Sequence, residues 1–313
     1  MALISLVIPV HNEARNLPIL FDRILKVFTE TLSHTSFEIL FVNDGSTDAS
    51  LEALDTLQYA HPNVRMRIFD FSRNFGKEAA TSAGIHHAEG DAVISLDADL
   101  QHPPELIPRF VEAWEKGADI VIGVRKNDAS DTRLKKWGSR LFYRLIRAIS
   151  QTDIVPRATD FRLIDRAVAN EFTRLTERNR MTRGLIDWLG FRRSLLPFTA
   201  PERLHGTASY GFWKLTKLAT ESLIAHSLFP LRLAGYIGIF IILFSGILGL
   251  VMFLDRYIFP WGLSFSGPAI LADIILFLVG VVLISLGLLA YYIAHIHTET
   301  QNRPLYIIRK KRL

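Results

Sequence analysis

A chain of 313 residues, 49% of them hydrophobic and 21% charged, is long enough for one α/β domain of ordinary size and something more. It has no cysteine, which excludes a disulfide framework and any thiolate metal site. The net charge of +5 and a pI near 9.4 suit an anionic membrane surface better than nucleic acid, because the basic residues gather on membrane-facing segments described below.

The first apolar run, residues 3–10, lacks the basic flank and cleavage site of a signal peptide and reads as a strand. Residues 14–31 follow with Leu17, Leu20, Ile24 and Val27 at helical spacing. A strand at 37–42 breaks into the turn cluster Asn43-Asp44-Gly45-Ser46-Thr47-Asp48, and a helix at 49–59 follows. A strand at 64–71, the loop Arg73-Asn74-Phe75-Gly76-Lys77 and a helix at 78–87 come next. A strand at 93–96, a helix at 104–116 opened by proline, and a strand at 118–124 complete the alternation. Strand and helix in turn predict an α/β fold, a Rossmann-like, mostly parallel sheet with helices on both faces. No Gly-x-Gly-x-x-Gly follows any strand and no Gly-Lys-Ser/Thr loop occurs, so the standard dinucleotide and phosphate-loop fingerprints are absent.

The stretch 92–101 is the centre of the reading. An apolar strand ends in Asp97, Asp99 and Gln101 and stops at His102-Pro103-Pro104. Residues two apart on an extended chain point the same way, so both carboxylates and the Gln101 amide oxygen can converge on one point at a strand's carboxyl end. An all-oxygen set of this kind suits Mg²⁺ or Mn²⁺, completed by substrate phosphates. The bland alternative is that an isolated Asp-x-Asp is common. The other strand ends also carry polar chemistry: His11-Asn12-Glu13, Asn43-Asp44-Gly45, the 73–77 loop and Gly123-Val124-Arg125. Glu13 and Asp44 can accept from ribose hydroxyls or a base, and Lys77 and Arg125 can face phosphate.

Two segments, 233–254 and 274–294, carry no charge and match the roughly 20 residues that cross a bilayer. The intervening loop holds only Arg256, whereas Arg303, Arg309, Lys310, Lys311 and Arg312 follow the second segment, so both termini are expected on the cytoplasmic side. Tyr257, Phe259 and Trp261 would lie at the outer interface. Residues 133–150 are two-faced, with Lys136, Arg140, Arg144 and Arg147 beside Trp137, Leu141, Leu145 and Ile149, and 212–229 are similar. Both suit helices lying in the membrane interface; a core-packed helix with a solvated face is the alternative. The Arg309–Arg312 cluster reads as a lipid-headgroup anchor. Gly246, Gly249, Gly280 and Gly287 permit helix packing, which leaves a homo-oligomer open.

These motifs, taken in order, resemble family 2 glycosyltransferases of the GT-A fold. Asp160-Phe161-Arg162-Leu163-Ile164-Asp165-Arg166, Arg203 with Gly206 after it, the two apolar segments and Asn302-Arg303-Pro304 resemble the polyprenyl-phosphate subset, which includes dolichyl-phosphate mannose synthases and bactoprenol glucosyltransferases. The resemblance implies a membrane-bound inverting enzyme. It would move one sugar from a nucleotide-diphosphate sugar, UDP-glucose or another UDP-hexose, to polyprenyl (undecaprenyl) phosphate at the cytoplasmic face of the inner membrane. It implies Mg²⁺ or Mn²⁺ on Asp97, Asp99 and Gln101, with Asp99 needed for catalysis. Pro9, Glu13, Asp44, Lys77, Asp97 and Arg203 would bind the nucleotide sugar, Arg125 and Arg140 the acceptor phosphate, and Asp160 would sit near the reacting centre. Many relatives carry Gly-x-Ser-Lys-Tyr after the arginine that Arg203 matches; here Gly206-Thr-Ala-Ser-Tyr210 lacks the lysine. The expected layout is a cytoplasmic GT-A domain at 1–205, an amphipathic juxtamembrane helix at 206–230, two transmembrane helices at 231–297 and a basic cytoplasmic tail at 298–313.

A phosphate acceptor, with its second pKa near ~6, is already a nucleophile, so Asp160 would orient rather than deprotonate. A hydroxyl acceptor would need Asp160 as base. A processive synthase would carry Gln-x-x-Arg-Trp, and no tryptophan here follows arginine. A non-catalytic nucleotide-sugar-binding membrane partner should have lost one of the two aspartates.

Overall fold

The computed structural model describes residues 2–126, 157–199 apart from 179, and 267–312, with 155, 254 and 258. The chain divides into two compact units: one holds the sheet and residues from 303 onward, the other residues 211–302.

In the first unit, β1 (Leu3–Val10), α1 (Leu17–Glu30), β2 (Ser36–Asn43), α2 (Ser50–Ala60), β3 (Met66–Phe71), α3 (Lys77–His87) and β4 (Ala92–Ser95) run as the alternation predicts. A 3₁₀ turn at Pro104–Leu106, α4 (Ile107–Glu115) and β5 (Ile120–Arg125) follow. The expected single helix at 104–116 is split because Pro108 has no N–H to continue the ladder back to Pro104. The remaining elements of this unit are β6 (Ala158–Asp165), α5 (Arg166–Arg174), α6 (Thr182–Trp188), β7 (Arg193–Phe198) and β8 (Ile308–Arg312).

The eight strands form one sheet in the order β7-β5-β6-β4-β1-β2-β3-β8. β1 to β4 are parallel to their neighbours within that group, but β6 runs antiparallel between β4 and β5, and β8 antiparallel to β3. Because β5 and β7 run with β1 to β4, six of the eight strands point the same way, and the expected mostly parallel sheet carries two reversed strands, β6 and β8. From β1 the chain steps outward through β2 and β3, then returns to β4 on the other side of β1. That reversal makes the carboxyl ends of β1 and β4 a topological switch point, the place where open α/β sheets hold ligands.

Alternation along β1 supplies both faces. Ile4, Leu6, Ile8 and Val10 pack with Leu17, Phe21, Ile24 and Phe28 of α1, while Val7 packs with Ala80 and Ala83 of α3. Helix α3 lies very close to the sheet: a Cβ at Gly84 would stand 2.1 Å from Val7 Cγ1.

The tail is a strand of the sheet, with Lys310 and Lys311 exposed. β8 closes the β3 edge, Arg309 pairs with Asp70 of β3 and Arg312 with Asp55 of α2, so two of the expected headgroup cations have acidic partners within the domain. Its basic composition is matched by acidic partners distant in sequence, which the local pattern does not reveal.

In the second unit, α7 (Gly267–Thr300) is a helix of 34 residues that contains all of 274–294. Its side chains belong only in part to the described set, and among the described residues no helix is long and apolar enough to cross a membrane. The crossing expected there stays a proposal. The first expected span, 233–254, and the helices expected at 133–150 and 212–229 lie outside the described residues, apart from Leu254.

Candidate functional site

The site forms where the β1, β2, β3, β4 and β6 loops meet at one sheet edge. Lys77 opens α3 and bridges two carboxylates. Its Nζ lies 2.6 Å from Asp97 Oδ1 and 2.7 Å from Asp160 Oδ2. β6, pairing with β4, carries Asp160 beside Ser95, whose hydroxyl donates to the Asp160 carbonyl at 2.6 Å. Burial alone would raise the Asp160 pKa; the Lys77 ammonium and the Arg183 guanidinium outweigh it and hold the carboxyl well below the usual range. Desolvation by itself would lower Lys77, but Asp97 and Asp160 keep it firmly protonated. Lys77 was expected to face phosphate; in this structure it ties the Asp97 loop to β6.

The Asp97–Gln101 turn rests on a buried histidine. The Asp97 backbone N–H donates to His102 Nδ1 at 3.0 Å, which assigns a neutral ring with its proton on Nε2. Burial pushes the basicity of His102 down, and the ring stacks on Phe161 at 5.3 Å. Asp99 Oδ1 accepts from the Gln101 N–H at 3.1 Å, closing a short turn. Leu100 takes a left-handed φ of 63°, a strain of about 1 kcal/mol or more that its buried side chain helps to offset.

Gln101 does not point its amide oxygen at a free coordination site. That oxygen accepts from Arg125 Nη2 at 2.5 Å, so two expected roles, metal and acceptor phosphate, are here joined in one pair. Arg125 Nε is buried with no hydrogen bond. The donor set that remains for a hard cation is Asp97 and Asp99. No group of three or more His, Asp or Glu poised for a metal occurs among the described residues. Two carboxylates fit Mg²⁺ or Mn²⁺, since such ions are commonly held by one or two carboxylates plus substrate phosphates.

On the β1/β2 side, Pro9 lies in register with Val42, just before the loops. Asp44 is buried and its two oxygens accept from Phe75 N at 2.7 Å and Gly76 N at 2.9 Å. It fixes the loop that presents Lys77. Gly45, at φ +60°, lets this turn touch the neighbouring loop: a Cβ would stand 2.4 Å from the Arg73 carbonyl carbon. Glu13 accepts from Asn16 Nδ2 at 2.5 Å, and its own N–H donates to Ser50 Oγ at 2.8 Å. Residues 13–16 form a turn closed by the Asn16 N–H on the Glu13 carbonyl at 2.9 Å, and α1 starts at Leu17 rather than at 14, with Pro18 in its first turn where no N–H is needed. Arg140 and Arg203 lie outside the described residues.

Sequence reasoning gave no role to three supporting residues. Arg162 and Asp187 form a buried ion pair at 2.8 Å, and Arg183 faces Asp160 from the same helix as Asp187. Lys77, Asp160, Arg162, Thr182 and Arg183 line one small cleft. The only local signal was an arginine within an apolar strand; its partner lies 25 positions away.

The glycosyl transferase family 2 model matches residues 5–173. The chain is 41% identical over 305 residues to an uncharacterized glycosyltransferase of Synechocystis sp., covering 97% of this chain and 94% of that one. It is 41% identical over 307 residues to a bactoprenol glucosyl transferase of Shigella phage SfII, covering 98% and 97%. Among solved structures, mannosyl-3-phosphoglycerate synthase from Rubrobacter xylanophilus shares the fold at TM-score 0.51 and 16% identity, with 75% of each chain covered. Family match, near-full-length relatives and an Asp-x-Asp turn at the switch point of the sheet agree: the chain is a glycosyltransferase and belongs to glycosyl transferase family 2.

Proposed function

We propose that this enzyme moves one hexose from a nucleotide-diphosphate sugar, a UDP-hexose such as UDP-glucose, to polyprenyl phosphate, with inversion, on the cytoplasmic leaflet of the inner membrane. The observation that carries the reading is the state of Asp160. Its Oδ2 is paired with the Lys77 ammonium at 2.7 Å, and Lys77 with Arg183 holds the carboxyl well below the usual range, which makes it a poor general base. An acceptor attacking beside it must arrive already ionised, as a phosphomonoester does, with its second pKa near ~6. The near-full-length likeness to bactoprenol glucosyl transferases supports the same acceptor class.

Asp97 and Asp99 would hold Mg²⁺ or Mn²⁺, which supplies charge neutralisation for the leaving diphosphate. Lys77 adds a protonated ammonium at the same edge, and Asp160 orients it. Asp44 and Gly45 shape the pocket wall beside the donor. The arrangement of the termini is the one that a pair of spans requires. β1 and β8 belong to one sheet, so the segment between residues 199 and 303 must cross a bilayer an even number of times or not at all. In α7, Leu271, Ile275, Leu278, Val282, Leu289, Ile293 and Ile296 are exposed, a long apolar stripe suited to lipid.

The test is a transfer assay on the full chain in detergent with Mg²⁺ or Mn²⁺, offering UDP- and GDP-sugars with undecaprenyl phosphate. Glycolipid from one donor, dependent on metal and lost in Asp99→Ala, is expected. Nucleotide-sugar binding without product from any donor would overturn the acceptor assignment and turn attention to a hydroxyl acceptor.

A further inference from the structure

We propose that the C-terminal strand β8 is a positioning element for the donor-side loops, and that Arg309 is the residue through which it acts. The inference rests on the nucleotide-sugar reading for the identity of the ligand.

A continuous run of hydrogen bonds leads from the tail to the site edge. Arg309 donates to Asp70 Oδ2 through Nη2 at 2.7 Å and through Nε at 3.0 Å. Asp70 is 2% exposed, and its other oxygen accepts from Asn43 Nδ2 at 2.8 Å. Asn43 Oδ1 in turn accepts from Ser46 Oγ at 2.5 Å, and Ser46 Oγ accepts from the Asn12 N–H at 3.1 Å. Asn12, held at a left-handed φ of 58°, accepts from Thr47 N at 2.8 Å and Asp48 N at 3.3 Å. Both turns that flank Asp44 and Glu13 therefore depend on one buried carboxylate whose cation comes from the far end of the chain.

A second line reaches the other loop. The Ile307 carbonyl accepts from Ser72 N at 2.9 Å. Tyr306 stacks on Phe71 with centroids 5.1 Å apart, and Phe71 meets the edge of Phe75 at 5.7 Å. Phe75 donates its N–H to Asp44 and stands two residues before Lys77.

The register shows why Arg309 reaches Asp70. Lys310 opposes Asp70 and Ile308 opposes Phe71, so Arg309 is the extra residue of a bulge. Bulges at sheet edges re-aim a side chain. The other end of β8 makes a different contact, Arg312 to Asp55 at 2.9 Å, away from these loops. Without Arg309, Asp70 would keep a buried charge beside the Asn43 amide and no paired guanidinium, a state that favours rearrangement of Asn43 and Ser46.

The experiment compares full-length wild type, Arg309→Ala, Arg309→Lys, Arg312→Ala and the double variant Arg309→Ala/Asp70→Asn. Nucleotide affinity is read by titration calorimetry with UDP and GDP, donor kinetics by the transfer assay, and folding by thermal melting. Arg309→Ala should weaken nucleotide binding and raise donor KM about tenfold, with kcat within about twofold. Arg309→Lys should recover part of the affinity. Removing the buried charge in the double variant should recover most of it. Arg312→Ala should lower the melting temperature comparably while leaving donor KM unchanged. Wild-type nucleotide affinity in Arg309→Ala, or a KM rise of equal size in Arg312→Ala, would overturn the inference alone. A wild-type chain that binds neither nucleotide would overturn the donor reading and this inference with it.

Discussion

The buried pair Arg162–Asp187 allows a quantitative test of how β6 is held. Both side chains are 3% exposed or less, and Arg162 Nη1 donates to Asp187 Oδ1 at 2.8 Å. The second contact, Nη2 to Oδ2 at 3.4 Å, is long and contributes little. Arg162 also donates to the Thr159 carbonyl at 3.1 Å and the Arg183 carbonyl at 3.3 Å. Asp187→Ala strands a guanidinium without a counter-charge, a change that costs roughly 3–5 kcal/mol in buried pairs. The two carbonyl bonds survive, so the lower end applies: about 3 kcal/mol, roughly two orders of magnitude in the folded-to-unfolded ratio. For a domain of this size that is a fall of about 6–12 °C in Tm. Asp187→Asn keeps an acceptor for Nη1 and removes only the charge, so it should lose about half as much. Thermal and urea unfolding of the full chain, followed by intrinsic fluorescence, measures both. A loss below about 1 kcal/mol in Asp187→Ala would refute the reasoning, since it would mean that the pair is hydrated in solution.

Two further predictions concern close contacts and charge. Gly84→Ala drives a methyl into Val7 and should cost about 1–3 kcal/mol, with Val7→Ala on the same chain restoring part of the loss; an unchanged melting temperature would show that α3 stands farther from β1. The folded-state pKa of Asp160 is depressed, so its contribution to stability is present above the ordinary carboxylate range and is lost progressively as pH falls from that range toward the depressed value. Lys77→Met removes the main source of that depression. Its stability should therefore decline less than that of wild type between pH 7 and pH 3, and parallel stability curves in that window would contradict the assignment.

The parallel half of the sheet was legible because each strand is a short apolar run and each helix presents one apolar face. β1 at residues 3–10 and the Asp97–Asp99 turn illustrate this, being set by local pattern and by the proline stop. What the pattern hid depends on partners far apart. Asp160 and Lys77 are separated by 83 positions, and Arg309 and Asp70 by 239. Each looks like an ordinary solvent-seeking charge until the sheet brings it to its partner. The pairing of two of the tail's cations was hidden for the same reason: charge composition describes a surface and is silent about acidic residues waiting on β3 and α2. Gln101 was assigned to metal by its i+2 spacing, but the turn at Leu100 breaks the extended geometry on which that spacing depends, and Arg125 takes the amide oxygen.

The antiparallel placement of β6 has an evolutionary consequence. β5 ends at Arg125 and β6 begins at Ala158, with Val124 opposite Ala158, so the chain leaves and re-enters the sheet at the same edge. Its two ends are clamped, Arg125 N to the Arg157 carbonyl and Lys126 N to the Phe198 carbonyl. An excursion between fixed, adjacent anchors can grow or be rewritten cheaply, because doubling a loop adds only about 0.6 kcal/mol of closure entropy. β6 is fixed on one side by β4 and on the other by β5, so Asp160 keeps its registration with Ser95 and Lys77 whatever length of chain evolution places between 126 and 157.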